Sequence, residues 1–350
     1  MDTEWICFDA VTGYDKGELN HAAQILRQGG LVAFPTETVY GLGGDGFNPQ
    51  AAKKIYEAKG RPSDNPLILH ISKREELDAI AARIPETAEK LMDAFWPGPM
   101  TLIFEKTKAV PYETTGGLDT VAVRMPSHEG ARQLIESAGV PVAAPSANTS
   151  GRPSPTTAEH VKEDLWGRID MIIDGGLVGI GVESTIIDVT EETPTILRPG
   201  HITKNMIAKV IGTVQMDAGL SGLDQSVKPK APGMKYRHYA PKASMTVIQG
   251  KKEAVIRRIE ELAAEYPKEK VGILAADETL SCYTHGQVVS AGSRNEHTIE
   301  QGLYRALREF DHMGVSVIFS ESLADDDRSE AIMNRLLKAA GQKIEYLSDK

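Results

Sequence analysis

Cations, hydroxyls and amides recur in short polar clusters, each beside an apolar run, and these are the residues that could do chemistry. "YEAKGRPSDNPLILH" sets Lys59, Arg61 and Ser63 ahead of an apolar run containing His70. "FPTETVYGLG" carries Thr36 and Thr38, and "APSANTSGRPSPT" carries Ser146, Asn148, Ser150 and Ser154. "GVESTIID" and "LRPG", with Arg198, follow downstream. In "TVAVRMP", Thr120 and Arg124 stand at even spacing and so share one face of a strand. Arg124 lies among Val121, Val123 and Met125, so its charge must face a cleft or meet a partner. No nucleophile stands beside an evident base. Such a set suits phosphoryl or nucleotidyl transfer, in which catalysis is mostly positioning and charge stabilisation. Lysine serves there as a point charge, arginine forks onto carboxylate or phosphate, and hydroxyls and turn amides complete the cradle. Taken singly, the clusters also have plain structural readings: Lys59 and Arg61 would offset a helix dipole, and Ser146 and Asn148 would form a turn.

Familiar nucleotide and hydrolase motifs are missing. There is no GxxxxGK[ST], no HExxH around His128 and no GxSxG. "GLGGDG" at 41–46 satisfies GxGxxG, but "PTETVY" separates it from the preceding strand, so it reads as a flexible glycine turn rather than a dinucleotide fingerprint.

The elements that must hold these clusters are α/β. Strand-like runs ("LVAF", "PLILHI", "MTLIFE", "TVAVRM", "VPVAA", "MIID", "STIIDV", "TILR") alternate with helical patterns at 49–58, 86–95, 128–138 and 158–165. Their unequal connections predict one large mixed sheet with helices. Residues 212–242, rich in Gly, Pro and Lys, read as a linker. Beyond it, regular alternation from "MTVIQG" to "SEAIMNRLLKAAG" predicts a small parallel α/β domain. The expected organisation is therefore 1–211, 212–242 and 243–350.

Lys plus Arg number 39 against 49 Asp plus Glu, a formal net charge of -10, which disfavours a general grip on nucleic acid or anionic membrane. No run approaches the roughly 20 apolar residues that span a bilayer, and no leader is evident, so a cytoplasmic enzyme is expected. Cys7 and Cys282 belong to no ligand cluster and are expected to be buried apolar fillers. "DDD" at 325–327 reads as a solvated helix N-terminus more readily than as a metal site.

"KGR" at Lys59–Arg61 followed far downstream by "SAN" at Ser146–Asn148 resembles the KxR...SxN signature of the YrdC/Sua5 family, the L-threonylcarbamoyl-AMP synthases. "FPTETVYGLG", "RPSDNPLILH", "WPGPMTLI", "VAVRMPSH", "APSANTSGRPSPT" and "ESTIID...ILRPG" are similar to that family's blocks in their usual order, and "PGMKYRHYAP" with the domain after it resembles the longer Sua5 form. The resemblance implies a YrdC-like mixed twisted sheet forming a concave cleft, followed by a small Rossmann-like domain. It implies that L-threonine, bicarbonate and ATP give threonylcarbamoyl-AMP and pyrophosphate, the first step of the t6A modification of tRNA. Transferred onto this chain, the family pattern puts L-threonine near Thr36, His70, Arg124, Ala144 and Ser184. It puts ATP against Lys59, Ser63, Thr120, Ser146, Ser154 and Arg198, with Arg61 and Asn148 completing the catalytic signature. Mg²⁺ is expected with ATP, without a dedicated carboxylate cage. A downstream threonylcarbamoyl-transfer machinery is the implied consumer, and tRNA binding is not required for this step.

Within the linker, Lys235, Tyr236, Arg237 and His238 read as a lid over bound nucleotide, with Tyr236 and His238 as further ATP contacts, or as an interdomain spacer. Two rivals stand beside the synthase: a YrdC-type carbamoyltransferase, for which the tail is short, and an RNA-binding module, against which the net charge counts.

Overall fold

The computed structural model describes residues 2–7, 15–221, 238–295, 298–323 and 329–348. They divide into two compact units, the first of Met1–Ser150 with Pro155–Tyr236, the second of Gly151–Ser154 with Arg237–Lys350. In chain order the first unit holds β1 (Glu4–Cys7), α1 (Lys16–Arg27), β2 (Val32–Phe34), β3 (Gly41–Asp45), α2 (Pro49–Lys59), β4 (Ile68–His70) and α3 (Glu86–Phe95). Then come β5 (Met100–Glu105), β6 (Thr120–Arg124), α4 (Glu129–Ala138), β7 (Val142–Ala143), α5 (Ala158–Leu165), β8 (Met171–Asp174), β9 (Thr185–Asp188), β10 (Thr195–Arg198), α6 (Lys204–Ile211) and β11 (Gln215–Met216). The strands form one 11-stranded sheet in the order β1-β8-β2-β3-β7-β4-β6-β5-β9-β10-β11, with parallel and antiparallel neighbours. The large mixed sheet expected from the sequence is thus present.

One face of this sheet packs throughout on an extended core that includes Leu42, Ile55, Leu69, Leu102, Val123 and Ile187. The opposite face is covered by α1 and α4 over β2, β7 and β8, where Leu19, Leu26, Leu134 and Ile135 meet Val32, Phe34, Val142 and Met171. From β4 to β10 that second face carries a separate small cluster, Ile68, Ile103, Ala122, Ile186 and Leu197, to which no helix among the described residues contributes. It is the floor on which the candidate site is built.

The reading of "GLGGDG" as a flexible turn is corrected. Gly41–Asp45 is the largely buried strand β3, antiparallel to both β2 and β7. A Cβ on Gly43 would lie 2.8 Å from Phe34 Cε1 and Val142 Cγ1, so glycine here makes room for neighbouring side chains rather than for a turn. Cys7 and Cys282 are also corrected: both are exposed, Cys7 at the end of an edge strand and Cys282 at the end of a short 3₁₀ turn.

The second unit contains β12 (Ser244–Gln249), α7 (Lys252–Ala263), β13 (Val271–Ala275), β14 (Gln287–Ser290), α8 (Ile299–Met313), β15 (Val317–Glu321), α9 (Ser329–Ala339) and β16 (Ile344–Tyr346). Its 5-stranded sheet, β14-β13-β15-β12-β16, is parallel at every pairing, the small parallel α/β domain expected from its alternation. No helix among the described residues is long and apolar enough to cross a membrane.

Candidate active site

Register brings the polar residues of the first unit into line. His70 pairs with Val142 and Arg124, Arg124 with Thr101, Thr101 with Ile186, and Ile186 with Arg198. Paired residues project to the same face, so His70, Arg124 and Thr101 form a row across β4, β6 and β5 beside the small apolar floor, which Arg198, at a register shift in β10, joins through Ser184 Oγ. Thr120, half-buried at the start of β6, lies on the same face at even spacing from Arg124.

The loop after β2 packs onto this row. Thr36 Oγ1 donates to the Val39 carbonyl at 2.7 Å and accepts from the Thr38 and Val39 N–H groups at 3.1 and 3.3 Å, a local turn that aims residues 36–39. Backbone N–H groups of Ile180 and Gly181 hold its far side through the carbonyls of Glu37 and Thr38 at 2.8 and 2.9 Å. Arg124 Nη1 donates to Thr38 Oγ1 at 2.9 Å, and its Nη2 lies 2.6 Å from Glu37 Oε1, both side chains being largely buried. The Nη2 approach lacks the alignment of a good hydrogen bond, so this contact is chiefly ionic. Burial pushes the Glu37 carboxyl upward, but the Arg124 charge and nearby N–H groups prevail and hold it below the usual carboxylate range.

His70 is buried beside Arg124, and its Nδ1 lies 3.2 Å from the Ile68 carbonyl. Burial and the Arg124 charge together push its pKa down to about 3, so the ring is neutral near pH 7. Below the ordinary pKa of 6.5 the unfolded chain binds a proton that the folded chain refuses. Stability from His70 is therefore complete above pH 6.5 and falls with acidification toward pH 3, by at most about 1.4 kcal/mol per pH unit. Urea unfolding between about pH 5 and 6.5, above most carboxylate titration, should show this slope in the wild type and a flatter one in His70→Gln. An equal slope in both would remove His70 as its source.

A second cluster forms at the end of α2. Asn48 caps its N-terminus by accepting from the Gln50 N–H, Pro49 opens it, and Gly60 closes it in the left-handed region at φ 60°. The cap leaves Lys59 in the last turn, buried, with Nζ donating to the carbonyls of Ser146 and Asn148. Ser146 Oγ donates to Asn148 Oδ1 at 2.6 Å, and Ser150 N–H returns to the Lys59 carbonyl at 2.9 Å. The KxR and SxN segments are thus one structural unit. Arg61 folds back onto the carbonyls of Asn65 and Pro66, its Nη2 at 3.3 and 3.1 Å, while Ser63 is exposed.

Ser184 and Arg198 join the row from its other end. Arg198 donates from Nε to the Ser184 carbonyl at 3.0 Å and from Nη2 to Ser184 Oγ at 3.1 Å, and Ser184 Oγ lies 2.8 Å from Thr101 Oγ1. Ala144 is buried, its N–H bonded to the Ile68 carbonyl at 2.9 Å, so it offers only backbone and a methyl group. Ser154 is buried and His238 half-buried, and both belong to the second unit. Tyr236 lies outside the described residues, as do Lys235, Arg237 and residues 325–327.

Glu37 and Thr101 are site residues that sequence reasoning missed. Glu37 had a signal: Arg124 in an apolar strand demanded a partner, and an acid between two threonines was available. Thr101 had none. Among the described residues no three His, Cys, Asp or Glu side chains gather into a metal-sized group. The guanidinium, ammonium and N–H donors of this site suit an anion, and Mg²⁺ would be held chiefly by the phosphates of bound ATP.

The first of two family models, Sua5_yciO_yrdC, described as "Telomere recombination", matches residues 24–200. The chain is 50% identical over 332 residues to the threonylcarbamoyl-AMP synthase of Pyrococcus abyssi, covering 94% of this chain and 96% of that protein. It belongs to the Sua5/YciO/YrdC family. A second family model, Sua5_C, described as "Threonylcarbamoyl-AMP synthase, C-terminal domain", matches residues 202–341, so both parts of the Sua5 form are represented. The Bacillus subtilis threonylcarbamoyl-AMP synthase is 51% identical over 331 residues, 93% of this chain and 94% of that protein. The crystal structure of P. abyssi Sua5 complexed with L-threonine superposes with a TM-score of 0.93 at 47% identity, covering 99% of this chain and 100% of that one. The fold and order of parts expected of the Sua5 form are therefore those observed.

Proposed function

We infer that the chain is a nucleotidyltransferase that makes threonylcarbamoyl-AMP from L-threonine, bicarbonate and ATP and releases pyrophosphate. The observation that carries this reading is the presence in the first unit of two differently equipped clusters. One presents Arg124, neutral His70 and threonine hydroxyls, a fit for a small hydroxy amino acid; the other presents Lys59 with the Ser146–Asn148 turn, a fit for phosphate. Ser184 and Arg198, which the family pattern divides between threonine and ATP, are hydrogen-bonded to each other, which supports neighbouring threonine and nucleotide subsites.

Arg124 forks onto the amino acid's carboxylate, and His70, uncharged, reads its hydroxyl by hydrogen bonding. The amine adds to bicarbonate and water leaves, giving a carbamate. A carbamate oxygen attacks the α-phosphorus, and the bond to pyrophosphate breaks. No enzyme nucleophile is needed. Lys59, Arg61 and Arg198 lower the barrier by holding positive charge where phosphate charge builds up, while Ser63, Thr120, Ser146 and Asn148 position the nucleotide. Mg²⁺ enters with the nucleotide's phosphates. The product serves as donor to a threonylcarbamoyl-transfer machinery in t6A synthesis.

Purified protein should release pyrophosphate from ATP only when L-threonine and bicarbonate are both present. Release that ignores either one overturns the assignment. So does RNA binding with a steep salt dependence and no turnover.

A further inference from the structure

In the second unit β12 and β15 lie side by side, yet the chain leaves them in opposite directions. From β12 it passes through α7 to β13, beyond β15; from β15 it passes through α9 to β16, beyond β12. Such a reversal in a parallel sheet opens a crevice at the carboxyl ends of the two strands, the place where open α/β sheets bind small ligands. A cavity of about 290 Å³ stands there. Gln249 and Gly250 close it at the end of β12, Glu321 and Ser322 at the end of β15, and Lys252 on the first turn of α7. Residues following β13 and β14, Glu278 and Arg294, complete the rim.

The polar groups are organised for an anion. Glu321, only 3% exposed, is already held by Tyr283 Oη at 2.7 Å and Arg294 Nη2 at 3.0 Å. Glu278 accepts from Ser293 Oγ at 2.6 Å and from the backbone N–H groups of Asn295 and Arg294 at 3.1 and 3.2 Å. Both carboxylates are thus engaged in fixing the loop that carries Arg294. The N-cap of α7, Lys251, makes no side-chain capping bond, and Lys252 on the first turn, at the positive end of the helix, lines the cavity. Thr279 and Val255 supply a hydroxyl and an apolar wall.

We propose that this crevice is a second binding site, for a phosphate ester of mononucleotide size, with the phosphate at the first turn of α7 between Lys252 and Arg294. The cavity is at the small end of ordinary ligand sites, a size that suits a mononucleotide. Phosphate at a helix N-terminus is a recurrent arrangement. The hydroxyl-bearing remainder meets Gln249, Thr279 and Ser322. The site is independent of the reaction assigned to the first unit, and neither stands or falls with the other.

The test is hydrogen–deuterium exchange on the full chain, which localises binding and so separates this site from any nucleotide site in the first unit. The probes are 5′-AMP and inorganic phosphate at roughly millimolar concentration, in wild type and in Lys252→Glu, a change at an exposed position. AMP should slow exchange in 250–255 and 320–322, and the half-effect concentration should rise about tenfold in the variant. No slowing in these segments, or slowing indifferent to Lys252→Glu, overturns the site. Inorganic phosphate acting at the same concentration as AMP overturns its assignment to an ester.

Discussion

Replacing Lys59 with alanine is expected to lower threonine- and bicarbonate-dependent pyrophosphate release by about 10²–10³-fold, the usual cost of deleting one preorganised charge-stabilising donor. The structure adds a second consequence. Lys59 is buried and holds two carbonyls, those of Ser146 and Asn148, which alanine would leave without this donor. Folding stability should fall by about 1–3 kcal/mol, within what a domain of ordinary stability survives. The two effects are separable because the first appears in kcat/KM of folded protein and the second in the urea midpoint. Near-normal turnover in folded Lys59→Ala would refute the phosphate role, whatever its midpoint.

The Arg124–Glu37 pair should show the next largest effect. Removing one member of a buried ion pair leaves an uncompensated charge and typically costs about 3–5 kcal/mol. Arg124→Ala is therefore expected to lose stability on that scale and to raise the L-threonine KM by roughly 10²-fold or more, since the carboxylate loses its fork. Combining it with Glu37→Gln removes both charges, so the double variant should be less destabilised than the sum of the singles, by about 0.5–3 kcal/mol. Additive losses would show that the 2.6 Å contact does not couple the two. Glu37→Gln alone leaves Arg124 unpaired until a substrate carboxylate arrives. L-Threonine should then raise its Tm more than that of the wild type, and an equal or smaller rise would mean that Glu37 and the substrate do not share the guanidinium.

Both predictions depend on contacts that no local pattern carries. Lys59 reaches Ser146 and Asn148 across 87 and 89 positions, and Arg124 reaches Thr38 across 86. The residue types and the family signature singled out Lys59, Ser146, Asn148 and Arg124, but register decided that Arg124, His70 and Thr101 would share a row. That Arg124 needed a partner was legible in the sequence, but the packing of the loop after β2 decided that the partner is Glu37.

What the sequence by itself determined is what short-range physics writes into it. The helices at 49–59, 86–95, 129–138 and 158–165 follow apolar periodicity, three of them with capping side chains that mark their starts. The alternation after residue 243 specified a parallel α/β unit, because each strand needs a crossover of helix length. Only the tertiary structure could turn "GLGGD" into a strand, since its glycines answer to Phe34 and Val142 on the adjoining strands and to Ile55 on α2, and not to their neighbours in the chain. It likewise decided the burial of His70 and the displacement of its pKa, for desolvation and a neighbouring guanidinium belong to three-dimensional surroundings and leave no trace in spacing.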